Sequence, residues 1–451
     1  MTMPSLAGQR FLILGLGTTG LALVRFLRDQ DAEVAVADTR AAPPGLAALR
    51  EAFGDVPVHL GPFSALPFDA NQTLLVSPGL APEALPWPAI KAAGCPVLGE
   101  LDLFFRFAKA PVLGITGTNG KSTVTALLGH VLKAAGFRVA VGGNLGPAAV
   151  SLLSSNAPDV FVLELSSFQL DWAEPMPLRQ ALFLNLSSDH LDRYGDLERY
   201  RASKARIYQR AERVLFNWRD PATHPAPASA TPALAVGLAP GGGDQPFCIE
   251  EDALCGPEGW RWPLARVPLV GSHNLENVLF ALTAAWDFGA SLGALGPALE
   301  TFQGLPHRCT VAGEVGGVRY LNDSKATNVG AAVAALAGLG PLEHVLLLAG
   351  GLAKGADLSP LRAAARGLKQ ALLFGTDAPQ LAELLAPVCS VQRVASLDVA
   401  VAEAALRAVP GDTVLLAPAC ASFDQFRSFE HRGAVFEAAV AALAARAEVQ
   451  A

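Results

Sequence analysis

The chain has 451 residues, a formal net charge of −7, 51% hydrophobic and 17% charged residues. That length suits about three domains, and the apolar content is ample for large cores rather than for a disordered chain. No stretch is strongly basic, which argues against nucleic acid as a main partner but leaves a small phosphorylated ligand open.

The first apolar run, Phe11-Leu-Ile-Leu14, reads as a strand and not as a signal peptide. Gly15-Leu-Gly17-Thr-Thr19-Gly20 follows with GxGxxG spacing. A second strand, Glu33–Asp38, ends in an acid 18 residues after Gly20 and leads into Thr39 and Arg40. By spacing alone this is a dinucleotide fingerprint, so a nicotinamide-dependent oxidoreductase is one reading. A third strand runs into Ser77-Pro-Gly79. Residues 1–99 are thus expected to form a small Rossmann-like α/β unit with its ligand at the carboxyl ends of the strands.

Residues 100–304 are expected to form a phosphate-loop domain. Gly114-Ile-Thr-Gly117-Thr118-Asn119-Gly120-Lys121-Ser122-Thr123 stands between an apolar strand and a helix-forming run. Its glycines let backbone N–H groups converge on an anion. Lys121 can reach the β/γ-phosphates, and the Ser122 or Thr123 hydroxyl can hold magnesium. The usual spacing would place glycine where Ile115 stands, so the loop is a variant.

Further along, Val160–Glu164 reads as a buried strand ending in a carboxylate, either a magnesium ligand or a surface acid. Asp189-His190-Leu-Asp192 follows another strand. His190 suits a metal, a phosphate or a plain core position. Lys204 lies in a helical stretch, where a lysine is ordinarily solvated. The segment 220–245 is rich in Pro, Ala and Gly and reads as an irregular surface excursion. Ser272–Asn277 opens a helix running to about Phe288.

Residues 305–451 alternate again and are expected to form a second Rossmann-like domain on a parallel sheet. Strands are placed near 344–349, 371–375 and 412–417. Helices are placed near 328–338, 359–370, 378–386, 398–408 and 424–446. The six polar residues within Asn322–Asn328 follow an apolar strand and make either a site or a hydrated turn. Arg308 at the start of this domain can reach a nucleotide across a cleft. Lys354, in a glycine turn, and Ser422, before a helix start, suit a carboxylate.

Two usage patterns sharpen this. The six cysteines form no CxxC pair and no zinc spacing, which reads as reduced thiols in a cytoplasmic protein. Only eight of the 34 basic residues are lysines, and Lys121, Lys204, Lys325 and Lys354 all sit in polar motifs. Arginine cannot serve as a compact or nucleophilic amine. No apolar run is long and uninterrupted enough for a membrane span.

The motifs in order are GLGTTG (15–20), DTR (38–40), SPG (77–79), GITGTNGKST (114–123), GGNLG (142–146), LELSSFQL (163–170), SSDHLDRY (187–194), YRASKARIY (200–208), SHNLENVLFAL (272–282), GLPHR (304–308), NDSKATN (322–328), GGLAKGAD (350–357) and PACASFDQF (418–426). Together they resemble the Mur ligase family over essentially the whole chain, in its D-glutamate-adding branch. The Asp-Asn-Pro-Arg motif of the diamino-acid-adding branch is not found. The resemblance implies an ATP-dependent ligase joining UDP-N-acetylmuramoyl-L-alanine to D-glutamate through an acyl phosphate, in peptidoglycan precursor synthesis. A cytoplasmic monomer is expected.

Its catalytic residues would be Lys121, Glu164, His190 and Lys204. Two magnesium ions would be held by Ser122, Glu164, His190 and Lys204, the last carbamylated by carbon dioxide. ATP would contact residues 117–123 with Asn277, Arg308 and Asp323. The UDP substrate would contact Thr19, Asp38, Thr39, Arg40, Ser77, Asn144 and His190. D-Glutamate would contact Lys325, Thr327, Lys354, Ser422 and Phe429, the last through its backbone.

Overall fold

The computed structural model describes residues 5–153, 157–241, 244–269, 271–339 and 341–450. Residues 1–4 of the first expected domain and Gly242-Gly243 of the Pro/Gly-rich segment lie outside the described residues.

The apolar runs form three main sheets. The first has the spatial order Val58–Leu60, Glu33–Asp38, Arg10–Leu14, Gln72–Val76, Val97–Gly99, all parallel. Phe11, Leu12, Ile13 and Leu14 are all buried, without alternation, because helices cover both faces of a parallel sheet. The order reverses beside Arg10–Leu14, which opens a crevice at the carboxyl ends. Gly15 (φ +97°) is needed there, since a Cβ on it would lie 2.8 Å from Ser77 Cβ.

The second sheet has the order Ala233–Val236, Val214–Asn217, Gln180–Phe183, Val112–Thr116, Val160–Glu164, Val139–Gly143, again all parallel. Its edge corrects the sequence reading of 220–245 as irregular. Ala233–Val236 is a strand pairing with Val214–Asn217, and Leu234, Ala235 and Val236 are buried. Four residues are too few to show a period, and neighbouring chain supplies their cover. A small antiparallel sheet follows, made of Cys248–Glu250, Ala253–Cys255 and Arg261–Pro263. The helix from Ser272 runs to Phe288 as expected.

The third sheet has the order Thr310–Val315, Val318–Asn322, Thr413–Leu416, Val345–Gly350, Gln370–Phe374, Val391–Arg393. It is parallel except for the first strand, which the sequence reading did not anticipate. Gly316 and Gly317, both at positive φ, make the tight turn that folds it back. Two helices are shorter than expected. Ser359–Ala364 ends before Gly367, which sits at φ +90°. The last helix starts at Phe429 rather than 424, because Asp424 is held in the preceding turn, accepting the Thr376 N–H at 2.9 Å.

Packing between the units differs in kind. The first and second share one apolar core, in which Phe26 meets Phe107 and Phe104 meets Phe161 edge-on at 5.2 and 5.1 Å. The cores of the third unit are separate from it.

Candidate active site

The strand Val112–Thr116 delivers the phosphate loop, and the helix Lys121–Ala134 leaves it. Ile115 is buried and pairs with Glu164 on one side and Leu182 on the other. The position that usually holds glycine is therefore inside the sheet, and the turn begins only at Gly117. Gly120 sits at φ +81°, and a Cβ there would lie 2.3 Å from Asn277 Oδ1. The loop is laced to the segment after Gln180–Phe183. Asn119 N–H donates to Asn185 Oδ1 at 2.9 Å, and Thr118 N–H to Asn185 O at 3.0 Å.

Two lysines converge on the carbonyl of Gly117. Lys121 Nζ donates to it at 2.9 Å, and Lys204 Nζ at 2.7 Å. Lys204 is 1% exposed and lies 4.6 Å from the Tyr200 ring centre, so its local reading as a solvated helix lysine is overturned. Burial, reinforced by the charge of Lys121, pushes the Lys204 pKa well below the ordinary lysine value. Burial also lowers Lys121, though Glu164 and Asp189 oppose this.

Glu164 is buried at the strand end, so it is not a surface acid. Its Oε1 accepts from Asn144 Nδ2 at 2.6 Å, and its Oε2 is buried without a partner. A buried carboxylate oxygen left over costs free energy unless a cation meets it. With the Ser122 hydroxyl beside the phosphate loop, this donor set fits one magnesium ion. A second ion fits His190 and Lys204 only once the lysine is an anion. His190 lines the cavity, its side chain 39% exposed, so it is not a core residue. It packs on Phe168 at 4.8 Å, and burial lowers its pKa.

The third unit closes one side. Arg308 Nη2 donates to Ser122 Oγ at 2.6 Å. Asp323 is buried and accepts the Cys309 N–H at 3.2 Å; burial outweighs the Arg308 charge and raises its pKa to about 7. Lys325, 4.4 Å from the Phe429 ring centre, is pushed down to about 8 by burial and by Arg308 and Lys121. Residues 118–123, Asn144, Glu164, His190, Lys204, Asn277, Arg308, Asp323, Lys325, Thr327 and Lys354 all line one cavity of about 590 Å³.

Ser422 and Phe429 are not among its lining residues. Ser422 is buried, and the Phe429 carbonyl accepts from Ser324 Oγ at 2.8 Å. The expected first-unit residues stand apart from the cavity, at the carboxyl edge of their sheet. Thr19 is in the first helical turn, Ser77 follows Gln72–Val76, and Thr39 and Arg40 are exposed. Asp38 is buried at the end of its strand. Its oxygens accept from Leu16 N, Arg40 N, Arg40 Nε and Arg40 Nη2 at 2.7–2.9 Å. Against the cost of burial, the Arg40 bonds hold it down at about 2. Through these four bonds Asp38 braces the backbone at Leu16 and Arg40 and orients the Arg40 side chain.

Three residues given no role at the sequence level matter here. Arg193 lies 4.0 Å from the Phe168 ring centre. It donates to Pro78 O at 3.1 Å and Leu80 O at 3.3 Å in the first unit and pairs with Asp171 at 3.1 Å. Arg432, fully buried, donates to Ser324 O, Ser324 Oγ, Cys420 O and Gly350 O, joining the three loops of the third unit. Asn328 spans the cleft. The only sequence signal for Arg193 and Asn328 was a place inside a polar motif, and Arg432 lies beyond the quoted motifs.

Comparison with known proteins agrees over the full length. Three family models match: "Mur ligase MurD-like, N-terminal domain" over 9–99, "Mur ligase middle domain" over 115–285 and "Mur ligase, glutamate ligase domain" over 307–420. Proteins named UDP-N-acetylmuramoylalanine--D-glutamate ligase are similar throughout. The one from Methylococcus capsulatus is 46% identical, covering 97% of this chain and 95% of its own. The one from Nitrosococcus oceani is 44% identical, covering 95% of each. Among solved structures, MurC of Thermotoga maritima aligns with TM-score 0.62 at 17% identity, covering 96% of this chain and 99% of its own, a likeness of fold.

Proposed function

Because the chain belongs to the Mur ligase family, we propose that it is the ATP-dependent ligase that joins D-glutamate to UDP-N-acetylmuramoyl-L-alanine. The observation that carries this reading is the cavity in which a phosphate loop, a buried carboxylate with one unpartnered oxygen and the cationic loops of the third unit meet. We divide the chain at 99/100 and 304/305 into a UDP-substrate domain, an ATP domain and an amino-acid domain.

The chemistry follows from charge. The alanyl carboxylate attacks the γ-phosphorus; an oxygen–phosphorus bond forms, and the bond to ADP breaks. Two anions must meet, so cations must screen them. Lys121 and Arg308 stand at the phosphate loop for this task. Magnesium, when bound, would neutralise phosphate oxygens, with Ser122 and Glu164 placed for one ion and His190 and Lys204 for the other. Lys204 suits carbamylation because burial favours its neutral amine, which adds to carbon dioxide and releases a proton. The amine of D-glutamate then attacks the acyl carbon, the carbon–nitrogen bond forms, a proton is lost and phosphate leaves.

Lys325, Thr327 and Lys354 would hold the D-glutamate carboxylates, with Ser422 and the Phe429 backbone behind them. Asn277 and Asp323 would contact ATP. Thr19, Thr39, Arg40, Ser77 and Asn144 would seat the UDP substrate, with Asp38 holding Arg40 in place. Every expected contact comes from one chain, so a monomer suffices. No helix of the described residues is long and apolar enough to cross a membrane, and we place the reaction in the cytoplasm, in cell-wall precursor synthesis serving cell shape and division.

The test is ADP release with UDP-N-acetylmuramoyl-L-alanine against a panel of amino acids. Turnover is expected with D-glutamate. Turnover with L-lysine or diaminopimelate, and none with D-glutamate, would overturn the assignment.

A further inference from the structure

We propose that Asn328 is a positioning residue that clasps the third unit onto the phosphate loop and the His190 turn, so that the amino-acid pocket is presented only to a correctly arranged nucleotide site. The inference rests on the ligase reading above.

Asn328 precedes the helix Val329–Ala337 and caps it, its Oδ1 accepting the Ala331 N–H at 2.9 Å. Its Nδ2 donates to Asn119 Oδ1 at 3.2 Å and to Asp189 Oδ2 at 3.0 Å. One amide thus serves its own helix and two partners in another unit. Serine or aspartate would cap as well, but neither also supplies two donors. The capping role alone does not require asparagine.

Both partners are themselves fixed to the chemistry. Asn119 belongs to the phosphate loop, and its carbonyl accepts from Asn185 Nδ2 at 3.1 Å. The other oxygen of Asp189 accepts the His190 N–H at 2.9 Å. The contact surface is close: a Cβ on Gly330 would lie 2.8 Å from Ser187 Oγ and 3.3 Å from Asn119 Nδ2. Lys325 and Thr327 lie immediately before Asn328, so the clasp moves with the residues proposed to hold D-glutamate. The cores of the third unit are separate from the core shared by the other two, and Arg308–Ser122 and Asn328 supply polar joints across the cleft. Polar joints without a shared core suit a surface that opens and closes during turnover.

The experiment uses the full chain with Asn328→Ser and Asn328→Asp. Both keep a capping oxygen; the serine cannot reach across, and the aspartate sets a carboxylate against Asp189. Melting temperature is expected to stay near that of the unchanged chain. For Asn328→Ser, kcat should fall and the D-glutamate KM should rise, about tenfold in combination, with the UDP-substrate KM unchanged. The aspartate should lose more. Small-angle scattering with adenylyl imidodiphosphate should show compaction of the unchanged chain and less of either variant.

Unchanged kinetics and compaction in Asn328→Ser would overturn the clasp. So would a lower melting temperature with an unchanged D-glutamate KM, which would assign Asn328 to capping alone. If the unchanged chain turns over no D-glutamate, the ligase reading fails instead. The scattering arm, which needs only the nucleotide analogue, still decides the clasp.

Discussion

At the scale of the residue, environment sets each side chain's chemistry. A lysine ammonium buried away from water beside a second lysine is raised in free energy, and the neutral amine is favoured. Lys204→Ala should therefore lose activity by roughly 100-fold, with part of it restored by short carboxylic acids that replace the carbamate. Full activity without additives would sink the carbamate proposal. Lys325 gives a pH prediction. Its pKa is lowered to about 8, so the cation is present below that pH and lost above it. Glutarate, which has the carboxylates of glutamate but no amine, should compete with D-glutamate more weakly as pH rises through about 8. Lys325→Arg, which stays charged, should flatten the profile, whereas a pH-independent inhibition constant in the unchanged chain would remove Lys325 from the carboxylate site.

At the scale of the element, the loop between Thr116 and Lys121 works because its glycines occupy backbone that other residues resist. Gly120→Ala would combine left-handed backbone strain with a clash against Asn277 Oδ1. Its ATP KM should rise about tenfold or more, and ATP should no longer raise the melting temperature. A normal thermal response to ATP would show that the loop relaxes without cost. Ile115 is the counterpart: it stands in the sheet, not in the turn, which explains how the loop does without a glycine there. In the third unit, Arg432 fills the space between three loops and donates to the carbonyls of Gly350, Cys420 and Ser324.

At the scale of the whole molecule, two kinds of junction divide the labour. The first and second units share an apolar core, and Arg193 pins the loop after Ser77 to the platform of Phe168 and His190. Arg193→Met keeps the bulk and removes the donors. It should raise the UDP-substrate KM about tenfold while the KM values for ATP and D-glutamate move by less than about twofold. Equal changes in all three would mean a general loss of structure. The third unit meets the second through the Arg308 and Asn328 hydrogen bonds, contacts that can be broken and remade, and through close packing of Gly271 against Gly338.

Much of this was legible in the residues alone. Apolar strands, glycine turns and ordered polar motifs have local signatures, so the three α/β units and the phosphate loop follow from spacing, whereas the roles of Asn144, Lys204 and Asn277 came from the family resemblance. What the sequence by itself determined is therefore the chemistry available and its order along the chain. The tertiary structure alone decided which groups are buried, and burial depends on cover from distant segments. That is why Lys204 passes from a solvated helix face to the floor of the site, why Asp38 is bonded to Leu16 and Arg40, and why Ala233–Val236 is an edge strand rather than an irregular loop. The same reason hid Asn328. A helix cap is visible in sequence, but its two other partners, 139 and 209 residues away, become neighbours only when the third unit folds against the second.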